Sequence, residues 1–153
     1  MENRLEALRV EMDKLIMASS RPRNYFSHLY CVSHFCTLLA LKRKLNIELA
    51  TTCGMLHDIA NVKGCDGDHA LKGAEEAEEL LRDIGLYDDE EIKVITTAIS
   101  RHSDKKSVCE PYDEVLKDAD VMSHCFYNND FPIAELEMAR YENLLTEFGI
   151  NHG

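Results

Sequence analysis

Residues 49–60, LATTCGMLHDIA, form an apolar run with helical character that ends on an adjacent histidine and aspartate, His57 and Asp58. An imidazole and a carboxylate are costly to bury unless a partner compensates them. A divalent metal ion is the usual partner for such a mixture of side chains. The run therefore predicts a core helix that presents a metal-binding pair at its end.

Two other helical runs carry residues that could complete such a site. His34 lies 23 residues before His57 and shares a helical face with Tyr30 and Leu38, so we expect it to point towards the core. Downstream, Asp118 and Asp120 stand two residues apart, about 200° around a helix. Only one of these two carboxylates can therefore face the same ion.

The remaining pattern is helical throughout. Apolar residues recur at spacings of three and four from Leu5 to Leu15, and no strand-like alternation of any length occurs. Further helices are expected over about residues 24–44, 47–59, 68–84, 88–102 and 113–126, and from Pro132 onwards, with loops over 61–68 and around Pro111. The chain is predicted to be an all-α bundle of about six to seven helices.

The order His34, His57-Asp58, Asp120 resembles the HD superfamily of metal-dependent phosphohydrolases, over about residues 24–126. The resemblance implies one HD domain over residues 1–153, with its core at about 24–126 and a C-terminal helix at about 131–148. It also implies that His34, His57, Asp58 and Asp120 bind a metal together. The family pattern of an apolar stretch followed by Ala-Asp selects Asp120, which leaves Asp118 as a solvated surface acid.

Two more histidines extend the resemblance. The H-x-x-x-G-A segment from His69 and the A-I-x-x-H segment ending on His102 resemble the bacterial symmetric dinucleoside-tetraphosphatase branch of that superfamily. This implies a second ion held by His69 and His102, with Asp58 bridging the two. In the alternative, a one-metal site, both histidines contact phosphate or water. The segment between Asp58 and His69 is shorter than in that branch, so its substrate is not carried over.

The other three histidines have weaker assignments. His124 is one turn beyond Asp120 and is a candidate for a supporting contact to the ligands. His28 and His152 are expected at the surface.

Composition restricts the partners. The 153 residues include 17 Lys and Arg against 28 Asp and Glu, a formal net charge of −11, which argues against binding of a nucleic-acid polymer. No apolar run approaches 18 residues, so no membrane partner is expected. The six cysteines form no C-x-x-C pair and the N-terminus does not resemble a signal peptide, which predicts reduced thiols in a cytoplasmic protein. A homodimer is left open.

Basic residues beside the ligands point to an anionic substrate. Lys63, Lys72, Arg101 and Lys105 are candidates for binding phosphate, so a nucleotide or another small phosphoester is expected as the substrate. The inferred chemistry is hydrolysis by metal-activated water, with Asp58 as the catalytic residue that orients it. One or two ions of iron, manganese, cobalt, nickel or zinc suit histidine and carboxylate ligands.

Two other functions fit the same residues. Di-iron oxygenases with the same helical core have a similar ligand set, in which iron activates dioxygen. A non-catalytic binding module could instead retain the metal as a structural support.

Overall fold

The chain folds into helices joined by short connections. The structure, a computed structural model, describes residues 3–128 and 132–151. Its helices are α1 (Arg4–Ala18), α2 (Pro22–Arg43), α3 (Ile47–Leu56), α4 (Ile59–Lys63), α5 (His69–Ile84), α6 (Asp89–Arg101), α7 (Pro111–Tyr127) and α8 (Glu135–Glu147). No strand occurs in these described ranges. The predicted all-α bundle is therefore confirmed, as seven helices of ten or more residues and the five-residue α4.

Local sequence signals explain most of the helix ends. The side chain of Asp68 accepts hydrogen bonds from the backbone at the start of α5, and Asp88 forms a capping box with Glu91 at the start of α6. Gly64 and Gly85 end α4 and α5 in the left-handed conformation that glycine adopts without strain. The caps at Asp68 and Asp88 and the end at Gly85 match the predicted boundaries.

Three boundaries differ from the prediction. The region predicted as a loop from Asn61 begins inside the short helix α4. Pro111 occupies the first turn of α7, where a missing N–H costs nothing, instead of the preceding loop. The last helix begins at Glu135, after Pro132, and the predicted start near residue 131 lies outside the described residues.

One core cluster unites the helices. The long helix α2 packs against α1, α3 and α7, and α6 closes the other side against α3, α5 and α7. Cys36 and Cys53 are buried in this core, and all six cysteines are free thiols. No helix in the described part of the chain is long and apolar enough to cross a membrane.

A close contact between α2 and α3 sets the position of the site. A Cβ atom on Gly54 would lie 2.8 Å from the Ser33 Cα and 2.9 Å from the Ser33 nitrogen, so only glycine fits there. This approach fixes the register of the two helices. It brings the end of α3, with His57, against the first half of α2, with His28.

Candidate metal centre

The candidate centre forms where the ends of several helices meet. His57 and His102 are the residues that directly follow α3 and α6, and His69 is the first residue of α5. His28 lies in the second turn of α2 and Asp120 lies in the middle of α7. Three helix ends and two positions inside helices thus bring residues that are up to 92 positions apart into one pocket.

The first cluster consists of His28, His57 and Asp120, whose ligand atoms all lie within 4.8 Å of one another. The Nε2 atoms of His28 and His57 are 3.1 Å apart. The Asp120 Oδ1 atom is 3.3 Å from the His28 Nε2 and 3.6 Å from the His57 Nε2. Two imidazoles and a carboxylate therefore converge on one point.

The second cluster consists of His57, Asp58 and His102. The two carboxylate oxygens of Asp58 have different neighbours. Its Oδ2 lies 3.5 Å from the Nε2 atoms of both His28 and His57. Its Oδ1 lies 3.6 Å from the His102 Nε2 and 3.9 Å from the His69 Nε2. Asp58 thus lies between two pairs of imidazoles, with one oxygen turned to each pair.

Backbone carbonyls fix the orientation of two imidazoles. The His57 Nδ1 is 2.8 Å from the Gly54 oxygen, and the His102 Nδ1 is 2.6 Å from the Ile99 oxygen. Because a carbonyl only accepts, each Nδ1 carries the proton when the ring is neutral, and Nε2 offers its lone pair to the pocket. The His28 Nδ1 is correspondingly 3.1 Å from the Ser123 hydroxyl. Such contacts hold metal-binding histidines in place.

A buried oxygen without a donor shows that the residues fit a cation. The Asp120 Oδ1 has no hydrogen-bond partner among the described residues, although its Oδ2 accepts from the Lys105 ammonium at 2.6 Å. Leaving a buried acceptor unpaired costs free energy. A divalent cation between Asp120 and the imidazole lone pairs would satisfy the oxygen and the nitrogens together.

Burial and charge act in opposite directions on the acids. Burial alone would raise the pKa of Asp58, but His57, His102 and His28 hold it far below its usual range. Burial alone would also raise the pKa of Asp120. The neighbouring His28, His57 and Lys105 instead bring it well below the ordinary value. Both carboxylates are therefore anionic at neutral pH.

The pKa values of His28 and His102 shift in opposite directions. Burial opposes protonation of His28, but the nearby carboxylates of Asp120 and Asp58 raise its pKa to about 9. Burial lowers the pKa of His102, even though Asp58 lies close to it. Without an ion, a proton on His28 supplies positive charge that the two carboxylates need.

The placement of His34 corrects the sequence analysis. His34 is exposed and its ring lies 6.2 Å from that of Tyr30. Leu38 and Leu41, on the same face, are 43% and 58% exposed. The prediction that this face points to the core is wrong, and His34 belongs to neither cluster. His28 was expected at the surface but lies in the first cluster, with its side chain 22% exposed.

Asp118 is also placed differently. It is buried and accepts hydrogen bonds from Arg43 at 2.8 Å and from Arg140 at 3.0 Å. The expectation of a solvated surface acid is therefore wrong. As the helical geometry requires, Asp118 points away from the cluster that contains Asp120.

Of the four basic candidates, the structure brings only Lys105 to the clusters. Its ammonium is 2.6 Å from the Asp120 Oδ2 and 2.6 Å from the His102 carbonyl oxygen. The other three are exposed and each pairs with an acid, as Lys63 with Glu76, Lys72 with Glu75 and Arg101 with Asp113. Their charges are thus already compensated by the protein.

His124 lies beside the clusters. Its Nε2 is 3.5 Å from the Asp120 Oδ1, and its ring stacks on that of His28 with centroids 5.3 Å apart. Its Nδ1 lies 2.7 Å from Glu137, on α8. His152, the last histidine, lies outside the described residues.

Comparison with known proteins agrees with this geometry. The fold is similar to a crystal structure described as a predicted HD superfamily hydrolase from an uncultured Thermotogales bacterium, with a TM-score of 0.60 and 23% identity over 91% of this chain and 88% of that one. A family model described as the HD domain matches residues 25–124, well over half of the sequence. The chain therefore belongs to the HD domain family, a membership that implies a divalent metal ion.

Proposed function

We propose that the protein is a metal-dependent phosphohydrolase that acts on a small phosphoester. Membership in the HD family supports a metal-dependent hydrolase in general. The observation that carries the proposal is the Asp120 Oδ1, buried without a hydrogen-bond partner among the described residues and facing the Nε2 atoms of His28, His57 and His124. A cation bound between this oxygen and those nitrogens would satisfy all of them together.

Two ions account for the arrangement of Asp58. His28, His57 and Asp120 would hold the first ion together with the Asp58 Oδ2. His69 and His102 would hold the second together with the Asp58 Oδ1, which lies within 3.9 Å of both Nε2 atoms. A carboxylate with each oxygen turned to a different imidazole pair suits a bridging ligand. Iron, manganese, cobalt, nickel and zinc all suit this mixture of donors.

When bound, such ions supply the Lewis acidity that activates water and polarises a phosphoryl oxygen. The residues of the chain prepare the site for this. The carbonyls of Gly54 and Ile99 hold His57 and His102 in one orientation. Asp58 would orient the attacking water. Preorganised groups of this kind avoid the cost of reorientation during the reaction.

We assign the substrate phosphate to Lys105. Its side chain is 8% exposed and ends beside Asp120. An ion on Asp120 would take over the neutralisation of that carboxylate and leave the ammonium for a phosphoryl oxygen. Lys63, Lys72 and Arg101 are left out of this role, because Glu76, Glu75 and Asp113 already pair with them.

The substrate is a nucleotide or another small phosphoester in this proposal, handled in the cytoplasm. The segments 69–74 and 98–102 support the two-ion site of the dinucleoside-tetraphosphatase branch, but the short stretch from Asp58 to His69 does not support its substrate. A net charge of −11 disfavours a nucleic-acid polymer and an anionic membrane as partners. A homodimer remains open.

Phosphate release tests the proposal. Protein reconstituted with manganese or iron should release phosphate from small phosphoesters without consuming oxygen. Lys105→Met should lower kcat/KM about 100-fold, because removing one donor to a developing charge has an effect of this order. Bound metal, measured by elemental analysis, should stay unchanged.

Lys106→Met is the matched control, because Lys106 is exposed and adjacent in sequence. It should retain activity within about twofold of the unmodified protein. Turnover that needs oxygen would favour the di-iron oxygenase. Absence of turnover on every phosphoester, with the metal bound, would favour the binding module.

A further inference from the structure

A cavity of about 850 Å³ lies between the first turns of α2, the end of α7 and the segment before α8. This volume is within the range of about 300–1,000 Å³ that small-molecule sites occupy. His28 and His124 both line the cavity, and the Nε2 atom of each lies within 3.5 Å of the Asp120 Oδ1. The cavity therefore adjoins the candidate metal centre.

One wall of this cavity is aromatic and held in place. Phe126 packs edge to face against Phe35, with ring centroids 5.8 Å apart, and against Tyr141 on its other side, at 6.2 Å. Phe126 is nevertheless 43% exposed. Ile133 adds further apolar surface to the lining of the cavity. A fixed, partly exposed aromatic ring suits a ligand with an apolar or aromatic group.

Charge in the cavity is sparse. Glu137 lines it but its carboxylate is 2.7 Å from the His124 Nδ1 and so is already paired. Arg23 also lines it, is exposed, and has no ion pair within residues 3–128 and 132–151. By contrast, Arg4, Arg43 and Arg140 each pair with acids. Arg23 is the only lysine or arginine among the described residues that line the cavity, so a second or third phosphate lying there, away from the metal centre, would meet no further cation.

We infer that this cavity binds the organic part of the substrate, and that the substrate is a singly phosphorylated compound with an aromatic or apolar group. The organic group lies against Phe35 and Phe126. Arg23 pairs with the phosphate from the cavity side, and Lys105 pairs with it from the side of Asp120. This inference rests on the proposed function for its reaction, but the binding it describes can be measured without turnover.

Calorimetric binding of two non-hydrolysable probes tests the inference. Phenylphosphonate should bind the manganese-loaded protein at least about ten times more tightly than methylphosphonate, since burial of an aromatic ring contributes at least that factor. ATP should bind no more tightly than phenylphosphonate. Equal affinities for the two phosphonates, or a clear preference for ATP, would overturn the assignment.

Variants locate the binding. Phe126→Ala should remove most of the preference for phenylphosphonate and leave the affinity for methylphosphonate unchanged. Phe126→Leu keeps an apolar wall, so it should remove only about half of the free-energy difference between binding of the two phosphonates. Equal weakening of both probes by Phe126→Ala would contradict the inference. Melting temperatures confirm that each variant is folded.

A matched pair tests the arginine. Arg23→Gln should weaken both phosphonates about tenfold. Arg21→Gln, at an exposed position two residues earlier that does not line the cavity, should change neither affinity by more than about twofold. Identical behaviour of the two variants would remove Arg23 from the site.

The outcomes separate this inference from the proposed function. Tight binding of phenylphosphonate that depends on Phe126, without hydrolysis of phenyl phosphate, would retain the cavity and reject the phosphohydrolase. Hydrolysis of methyl phosphate and phenyl phosphate with equal kcat/KM, and no effect of Phe126→Ala, would retain the enzyme and reject the cavity.

Discussion

Asp58→Ala should leave the protein essentially free of metal and lower phosphoester turnover at least about 1,000-fold. The Asp58 oxygens face two different imidazole pairs, so the variant removes a ligand from both proposed ions. Asp120 would then be the only carboxylate left among four imidazoles. Elemental analysis after reconstitution and a phosphate-release assay measure the two effects.

The fold should survive this change. Asp58 precedes α4 but its side chain makes no capping hydrogen bond to that helix. Far-ultraviolet circular dichroism should therefore match that of the unmodified protein without metal. Full metal content or near-normal turnover in Asp58→Ala would show that Asp58 is not a ligand of the ions.

Asp118→Ala should lower the free energy of unfolding by about 2 kcal/mol, because it removes charge-assisted hydrogen bonds to a buried carboxylate. Arg43 keeps its pair with Glu147, and Arg140 keeps its pair with Glu114. Asp118 joins Arg43 of α2 to Arg140 of α8, at 2.8 and 3.0 Å. The melting temperature should fall by roughly 4–8 °C. Metal content, measured below the transition, should not change.

Asp120→Ala provides the contrast from two residues away. It should abolish binding at the first proposed ion, since it removes the carboxylate that faces His28 and His57. Its stability without metal should also fall, because the Lys105 ammonium, whose side chain is 8% exposed, loses the carboxylate that it pairs with. Metal loss in Asp118→Ala together with metal retention in Asp120→Ala would reverse the register assigned to α7.

The parts of the site that depend on local sequence pattern could be predicted from the sequence. The polar pair at the end of an apolar run predicted that His57 and Asp58 lie together at a helix end, where the structure places them. The 200° separation of Asp118 and Asp120 correctly predicted that they face different ways. The helix caps at Asp68 and Asp88 could likewise be predicted from the sequence, because capping depends on neighbours within three residues.

The buried face of α2 could not be predicted in the same way. This helix has apolar residues on most sides, so Leu38 and Leu41 suggested a core face that is in fact exposed. The buried stripe instead contains Val32, Cys36 and Leu39. His28 lies one helical turn before Val32, and that spacing was the signal that could have identified it in place of His34.

Contacts between distant segments explain the remaining differences. The partner of Asp118 on α2 lies 75 residues away in the chain, so its burial cannot be inferred from its neighbours. The cavity beside the clusters likewise forms between α2, α7 and the segment before α8. The pairing of Lys72 with Glu75, three residues apart on one helix, was by contrast available from the sequence.

The most direct test of the central claim is the metal content of two histidine variants on the same helix. His28→Ala should lose about one ion per chain after reconstitution, because His28 faces Asp58, Asp120 and His57 at 3.1–3.5 Å. His34→Ala should keep the full complement, because His34 is exposed and outside both clusters. A full complement in His28→Ala together with metal loss in His34→Ala would contradict the site described above.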